Sequence, residues 1–258
     1  MAWVLSEQRG AVAVLTLNNP EQYNAMRRGL LGELHAALSA ALADASVRAI
    51  VLTGAGRGFC AGAQLGGETF DAGANVAPWM RAELSPLLEA MRNADKPIVV
   101  AVNGPAAGAG VGLALAGDIV LAARSAKFVL SFVKLGAALD AGTSLFLQRS
   151  IGVARARALA LLGRPLGAEQ AAEWGLIYQV VEDSELMTEA MAIAQQLASG
   201  PPISIGLIKQ QVERAWSASL AETLDDEAER QGRAFVTSDL REGAAAFVEK
   251  RAARFTGR

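Results

Sequence analysis

The most informative stretch of this chain is GPAAGAGVGLALAGDIV, residues 104–120. Four glycines fall within its first nine residues, an apolar run follows, and the first charge is Asp118. Because glycine has no Cβ, such a loop lets backbone atoms approach another group closely. The stretch therefore predicts a bare loop that leads into a helix at about 109–117 and then into a strand.

Two nucleotide-binding motifs do not fit this loop. A dinucleotide fingerprint needs G-x-G-x-x-G with an acidic residue about twenty positions further on, but residues 108–113 read GAGVGL. A Walker loop needs a lysine, and none is near. Two interpretations stay open: small residues let the helix pack on a sheet, or free amides at its start bind an oxyanion. A second amide donor is available in the other glycine-rich loop, GAGRGFCAGAQ at 54–64.

The composition is that of one large domain, or of a domain with a small appendage. Of the 258 residues 52% are hydrophobic, and the net charge of −2 leaves no basic footprint for nucleic acid. The single cysteine, Cys60, excludes an intrachain disulfide and favours a cytoplasmic location. No apolar run reaches about 18 residues and the first residues lack a secretory pattern, so neither a membrane span nor export is expected.

Strands and helices alternate along the first two hundred residues, and three helices follow. The predicted strands include AVAVLTL, RAIVLTG and PIVVAVNG, and the predicted helices lie at about 27–43, 79–93, 142–151 and 153–162. This pattern predicts an α/β body at 1–200 and a helical region at 201–258. The helices of the second region carry apolar faces that need a partner, either the body or another subunit. They are predicted at about 203–217, 219–236 and 240–251.

The order of these motifs resembles the crotonase, or enoyl-CoA hydratase/isomerase, superfamily. The likeness extends from about residue 4 to the end of the chain, and it lies in GAGRGFCAG, PAAGAG, GDIVLAARSAKF, AEQAAEWGLIYQVV and REGAAAFVEKR. Within the superfamily the chain is most similar to isomerases of the phenylacetate pathway, which act on ring-epoxidised phenylacetyl-CoA and on unsaturated acyl-CoA. The resemblance implies a spiral of ββα units whose C-terminal helices form a homotrimer, or a dimer of trimers.

The same resemblance implies an acyl-CoA thioester as the substrate, with coenzyme A as part of that substrate and with no separate cofactor or metal. It assigns the two oxyanion-binding amides to Ala63 and Ala109, where alanine suffices because the backbone donates. Contacts with coenzyme A are implied for residues near the first turn and in the tail of this or a neighbouring subunit; these are Tyr23, Arg27, Ala61, Phe247 and Lys250. For each contact, an ordinary solvated face is the alternative.

The acid–base residues depart from the pattern of the family's hydratases, which carry two glutamates. Their places are taken here by Gly112 and Phe132, and neither can titrate. Asp140, in KLGAALDAGTS, lies where isomerases of the phenylacetate type carry an aspartate, although Leu139 replaces their usual proline. Its apolar neighbours are expected to raise its pKa and to let it give and take a proton. The alternative role for Asp140, compatible with the first, is to cap the helix that starts near 142.

The other polar side chains are weaker candidates. His35 lies beside the apolar face of its helix, Cys60 is expected to be a small buried residue, and Asp118 is expected to fix the end of its helix. Gln64 stands where many relatives have aspartate. A second acid could come from the segment after the first loop, from Glu68 or Asp71.

Three hypotheses follow. The first is an acyl-CoA isomerase with Asp140 as its base. The second is a weak hydratase or a hydrolase of the same fold that uses Glu68 or Asp71, and the third is a CoA-thioester binder with little turnover. Gly112 and Phe132 favour the first hypothesis over the second, and Asp140 favours both enzymes over the binder.

Overall fold

The computed structural model describes residues 2–27, 29–64 and 75–258. The strands of this part are β1 (Val4–Arg9), β2 (Val12–Leu17), β3 (Ala49–Gly54), β4 (Ile98–Val102), β5 (Ala106–Ala107), β6 (Ile119–Ala123), β7 (Lys127–Val129), β8 (Leu166–Gly167) and β9 (Gln179–Val181). They form a six-stranded sheet in the order β1-β2-β3-β4-β6-β9 and a three-stranded sheet in the order β5-β7-β8.

The helices of the described part are α1 (Leu30–Ala43), α2 (Ala77–Trp79), α3 (Ser85–Asn93), α4 (Ala109–Leu115), α5 (Thr143–Leu162), α6 (Ala168–Glu173), α7 (Leu186–Ser199), α8 (Pro202–Ala215), α9 (Leu220–Phe235) and α10 (Ser238–Glu249). A π-helical turn, Met80–Leu84, joins α2 to α3. The three helices predicted beyond residue 200 are confirmed as α8, α9 and α10. None of the described helices is both long and apolar enough to cross a membrane.

The six-stranded sheet places the two glycine-rich loops side by side. Its strands β2, β3, β4, β6 and β9 run parallel. Strands β3 and β4 are buried along their whole length, as expected for continuous apolar runs covered on both faces. Thr53 pairs with Ala101 near the ends of these strands, so the loops that follow, 54–64 (first loop) and 103–109 (second loop), leave the same edge of the sheet.

Glycines mark where two predicted helices begin or break. The helix expected from residue 27 begins at Leu30, because Met26 pairs with Ala63 in an isolated bridge and Gly29 has a φ of 88°. Helix α5 is interrupted at Gly152, whose φ of 76° and ψ of 161° are not helical. This interruption confirms the two helices predicted on either side of it.

Candidate active site

The first and second loops are joined by backbone hydrogen bonds. The amides of Phe59 and Cys60 donate to the carbonyl of Pro105 at 3.1 and 3.3 Å, and the amide of Ala107 donates to the carbonyl of Cys60 at 2.9 Å. These bonds extend the pairing of the parallel strands into the loops. The two glycine-rich loops, which are far apart in the sequence, therefore form one connected unit.

Gly62 shows how closely the loops approach each other. A Cβ placed on it would lie 2.6 Å from the carbonyl oxygen of Ala107 and 3.2 Å from the amide nitrogen of Ala109, and its φ is +81°. Both the space and the backbone conformation require glycine. The amide of Ala109 therefore lies against Gly62, which directly precedes Ala63.

The amides of Ala63 and Ala109 donate no hydrogen bond to any residue that the structure describes. Ala109 is the first residue of α4, so its N–H has no acceptor within the helix. Around Ala63, the amide of Met26 donates to the carbonyl of Gly62 at 2.7 Å and the amide of Gln64 donates to the carbonyl of Met26 at 2.9 Å. The amide between these two bonds therefore faces away from Met26. Two adjacent unpaired amides are the donors that an oxyanion requires.

Asp140 has an unpaired carboxyl group. Its Oδ1 is buried and has no hydrogen-bond partner within the described residues. Burial raises the pKa of this carboxyl from 3.8 to about 6, with no other cause contributing. The N-cap of α5 is Gly142, without a side-chain cap bond, so the alternative role of Asp140 as a side-chain cap is not seen. A half-buried acid with this pKa can exchange protons near neutrality.

Helix α4 connects Asp140 to the amide of Ala109. Ala141 follows Asp140 and contacts Gly112, because a Cβ placed on Gly112 would lie 2.1 Å from the carbonyl oxygen of Ala141. Gly112 lies three residues after Ala109, and residues three apart share a helix face. The proposed base therefore lies in a turn that packs within one helical turn of the unpaired amide.

Phe132 contributes an apolar wall on the other side of the second loop. It is buried, and its ring lies 3.8 Å from the point where a Cβ on Gly108 would be. Gly108 itself donates its amide to the carbonyl of Val129 at 2.9 Å. The two positions that the sequence resemblance matches to the hydratase glutamates thus hold a buried glycine on α4 and a buried aromatic ring beside the second loop.

Three of the residues expected to contact coenzyme A lie beside the first loop. The amide of Ala61 donates to the carbonyl of Tyr23 at 2.9 Å, and both residues are exposed. The Arg27 guanidinium stacks 4.1 Å from the ring centroid of Trp3, and its Nε is buried with no hydrogen-bond partner within the described residues. Tyr23 and Ala61 are therefore accessible, and the half-buried Arg27 directly follows Met26, the residue that pairs with Ala63.

The two remaining candidates for coenzyme A lie elsewhere. Phe247, 86% exposed, and Lys250 lie at the end of α10. The side-chain hydrogen bonds of Asp239 and Glu242 on this helix run to the residues that follow it, Arg251 to Gly257. No described hydrogen bond joins α10 to the first or second loop, so the assignment of Phe247 and Lys250 stays a prediction.

The weaker candidates are also placed, with one correction. Cys60 is fully buried and burial raises the pKa of its thiol to about 12, which excludes a reactive thiolate. His35 is half-buried on α1. The prediction that Asp118 fixes the end of its helix is wrong: it accepts a hydrogen bond from the amide of Ile98 at 2.8 Å and pairs with Lys209 at 2.9 Å. Glu68 and Asp71 lie outside the described residues.

Sequence reasoning missed two groups near this site. Arg92 donates to the carbonyls of Ala116 and Gly117, the two residues that follow α4, at 3.4 and 3.3 Å. Thr143, fully buried, donates its hydroxyl and its amide to the carbonyl of Asp140 at 2.7 and 3.0 Å. A threonine three residues after an aspartate and directly after a glycine was the only available signal for the second group.

Comparison with known proteins identifies the family. The profile described as enoyl-CoA hydratase/isomerase matches residues 7–258, nearly the whole chain. The chain belongs to the enoyl-CoA hydratase/isomerase family. This family acts on acyl-CoA thioesters, which supports an enzyme that uses such a substrate. The resemblance seen in the sequence motifs is confirmed.

Individual members of the enoyl-CoA hydratase/isomerase family carry both reaction names. A protein named 1,2-epoxyphenylacetyl-CoA isomerase, from Escherichia coli, is 45% identical over 262 residues that span 100% of both chains. A protein named "Probable enoyl-CoA hydratase", from Rhodobacter capsulatus, is 44% identical over 96% of this chain and 95% of its own. A crystal structure named enoyl-CoA hydratase, from Bacillus anthracis, superposes with a TM-score of 0.92 at 34% identity, covering 99% of this chain and 100% of that chain. The predicted crotonase fold is confirmed.

Proposed function

We propose that the protein is an acyl-CoA isomerase that shifts a double bond, or rearranges a ring epoxide, in an unsaturated or phenylacetyl-derived CoA thioester. The observation that carries this proposal is the half-buried carboxyl of Asp140, whose Oδ1 has no hydrogen-bond partner among the described residues. Asp140 also precedes Ala141, which packs on α4. The Escherichia coli relative named 1,2-epoxyphenylacetyl-CoA isomerase, at 45% identity, supports the same class of reaction.

The mechanism uses two amides and one carboxylate. The thioester oxygen accepts hydrogen bonds from the amides of Ala63 and Ala109, and the carboxylate of Asp140 removes the proton at C2 of a 3-enoyl group. The released electron pair moves into the conjugated enolate, whose oxyanion the amides stabilise. Each such donor contributes about 10²- to 10³-fold in rate. Asp140 then returns the proton at C4, which leaves the double bond between C2 and C3.

A hydratase is the alternative, because relatives carry that name. Hydration requires a water held between two acid–base groups, and the two family positions for those groups hold Gly112 and Phe132 here. Both are buried, and the Phe132 ring occupies space beside the second loop. An apolar ring excludes water rather than activating it. This arrangement favours proton transfer within the substrate over the addition of water.

Coenzyme A enters as part of the substrate in this proposal, and the reaction draws on no further cofactor. The contacts proposed for its phosphates and adenine come from Ala61 in the first loop and from Tyr23 and Arg27 beside it. Phe247 and Lys250 are proposed to complete the site from this or a neighbouring subunit. An arginine held by an aromatic ring is preorganised for a phosphate.

The products formed from a 3-enoyl-CoA separate the isomerase from the hydratase. We expect the conjugated 2-enoyl-CoA to accumulate without 3-hydroxyacyl-CoA, because a single base returns its own proton and no second carboxylate activates water. Chromatography of the products over the first turnovers measures both species. Rapid formation of 3-hydroxyacyl-CoA would instead establish the hydratase, and absence of any turnover across 2-enoyl, 3-enoyl and ring-derived thioesters would favour a binder.

The C-terminal helices present apolar side chains that the rest of the described chain leaves exposed. Each of the side chains in question is more than half exposed; on α8 to α10 and their connections they include Ile208, Val212, Trp216, Leu220, Leu224, Phe235, Val236, Phe247 and Val248. A protein that stays monomeric in solution seldom leaves so many large apolar side chains exposed on three consecutive helices. We propose that these helices assemble the chain into a homotrimer or a dimer of trimers.

Light scattering on the purified protein tests this assembly. The expected mass is three or six times that of the chain at micromolar concentration, because burial of several large side chains per subunit stabilises the contact. Replacing Trp216 and Val212 by serine is expected to shift the population towards smaller species. A wild-type protein that remains monomeric at this concentration would contradict the proposal.

A further inference from the structure

The turn at 140–142 has an unusual backbone. Ala141 and Gly142 follow Asp140 with φ values of 49° and 71°, so two consecutive residues are left-handed. Alanine rarely adopts this conformation because its Cβ crowds the following carbonyl. Since Ala141 is buried, the surroundings of the turn must hold it in this conformation.

Thr143 holds the turn from the side of α5. Both of its donors, the hydroxyl at 2.7 Å and the amide at 3.0 Å, are directed to the carbonyl oxygen of Asp140. The side chain is fully buried, so no water competes for this carbonyl on that side. The two bonds fix the peptide group that links Asp140 to Ala141.

Gly112 holds the turn from the side of α4. A Cβ on Gly112 would lie 2.1 Å from the carbonyl oxygen of Ala141 and 2.5 Å from its Cβ. Distances this short mean that any side chain at 112 would displace the turn. Ala141 can therefore contact α4 only because position 112 has no side chain.

We propose that Gly112 and Thr143 are positioning residues, which together hold the carboxyl of Asp140 against the helix that begins with the amide of Ala109. The proposal rests on the isomerase function with Asp140 as base. On this proposal, Gly112 is not simply a position where an acid is missing. The site with a single carboxylate requires glycine there. A glutamate introduced at 112 would push the turn away and would not add a second working carboxylate.

The central experiment compares Thr143→Val with Thr143→Ser. Valine keeps the volume and removes the hydroxyl bond, and a misplacement of the base by about 1 Å costs about 10²-fold in rate. We expect kcat for a 3-enoyl-CoA to fall about 10- to 100-fold in Thr143→Val, with KM changed less than about threefold, because the amides and the coenzyme A contacts remain. Thr143→Ser restores the hydroxyl and should recover most of kcat.

The pH profile supplies a readout that a loss of stability would not move. In the wild type, kcat/KM should fall as the pH drops through about 6, the pKa to which burial alone raises Asp140. A displaced turn exposes the carboxyl to water, so the acidic limb should move towards the ordinary value of 3.8 in Thr143→Val and in Gly112→Ala. No described charged group contributes to the pKa of Asp140, which leaves solvation as the cause of such a movement.

Thr53→Val is the matched control. Thr53 is also buried, and its hydroxyl donates to the carbonyl of Ala101 at 2.8 Å between β3 and β4. Its replacement removes the same kind of bond from the sheet, so it should lower stability and leave kcat per folded molecule and the acidic limb in place. Gly112→Ala disturbs the turn from α4 instead of from α5, so it tests the same proposal independently. In each variant, the binding of a saturated acyl-CoA measures the number of folded sites.

The outcomes separate this inference from the proposed function. If both Thr143→Val and Gly112→Ala keep kcat per binding site and the acidic limb, or if Thr143→Ser loses as much as Thr143→Val, then the positioning proposal is wrong. In that case an inactive Asp140→Asn variant would still support the isomerase. If Asp140→Asn itself keeps full turnover, the base has been assigned to the wrong residue and the proposed function fails first.

Discussion

Asp140→Asn is expected to lower kcat for isomerisation by about 10²- to 10⁴-fold, the usual contribution of general acid–base catalysis. Asparagine has nearly the same shape as aspartate but cannot accept a proton from C2 of the substrate. Binding of the CoA thioester should survive, because the donors proposed at Ala63 and Ala109 are backbone groups. Exchange of the α- and γ-protons of the substrate with heavy water should fall together with turnover.

The same substitution should not weaken the fold at neutral pH. Burial raises the folded-state pKa of Asp140 from 3.8 to about 6, so the charge that the group carries above about pH 6 destabilises the folded state by up to about 3 kcal/mol before solvent screening reduces it. As the pH falls through 3.8 the carboxyl becomes protonated in the unfolded state as well, and this cost disappears. Asparagine carries no charge, so the variant should be more stable than the wild type at pH 8 and nearly equal to it in stability at about pH 3.5.

Urea unfolding at these two pH values, together with kcat per folded molecule, measures both effects. Asp118→Asn is the matched control, because Asp118 is also a partly buried aspartate, and its carboxylate pairs with Lys209 and accepts from the amide of Ile98. It should destabilise the fold and keep its rate per folded molecule. If Asp140→Asn behaves like this control, Asp140 is structural and the base must be sought at Glu68 or Asp71.

Ala109→Pro is expected to lower kcat by about 10²- to 10³-fold, because it deletes one of the two proposed oxyanion donors. Ala109 is the first residue of α4, the helical position that tolerates proline best, since its amide has no acceptor within the helix. Proline disfavours the helical conformation in the residue before it. Here that residue is Gly108, whose φ of 51° and ψ of −126° are not helical, so it does not oppose the substitution. The loss should therefore come from the missing donor rather than from a broken helix.

Ala109→Gly is the control for this prediction, because it changes the side chain and keeps the amide. It should retain kcat within about tenfold, with a small loss of stability from the more flexible backbone. Circular dichroism and binding of a saturated acyl-CoA report whether Ala109→Pro is folded. A folded proline variant with unchanged kcat would remove Ala109 from the oxyanion site.

The main strands and helices followed from local patterns in the sequence. The apolar runs AVAVLTL, RAIVLTG and PIVVAVNG became strands of the six-stranded sheet, and the break at Gly152 separates two helices as predicted. The positions of glycines and the spacing of hydrophobic residues indicate secondary structure within a few residues of the chain. A single segment is therefore enough to predict a strand or a helix. Structure at the loops was less predictable: β5 and β8 have two residues each, which is too short for any periodicity.

Errors occurred where a side chain's partner lies far away in the chain. Asp118 was expected to act on its own helix, but its partners are Ile98 and Lys209, twenty and ninety-one residues away in sequence. The helix predicted from residue 27 loses its first turn because Met26 pairs with Ala63. Neither partner could be identified from the residues adjacent in sequence.

By itself the sequence determined the α/β order of elements, the two glycine-rich loops and a short set of candidate residues, because residue type and local spacing carry that information. Only the tertiary structure showed that the Asp140 side chain does not cap α5, and that Ala141 packs on Gly112. It also brought Gly62 to within contact of Ala109. The contact of Gly62 with Ala109 arises because the parallel strands β3 and β4 end at the same edge of the sheet. The contact of Ala141 with Gly112 arises because the turn before α5 packs on α4.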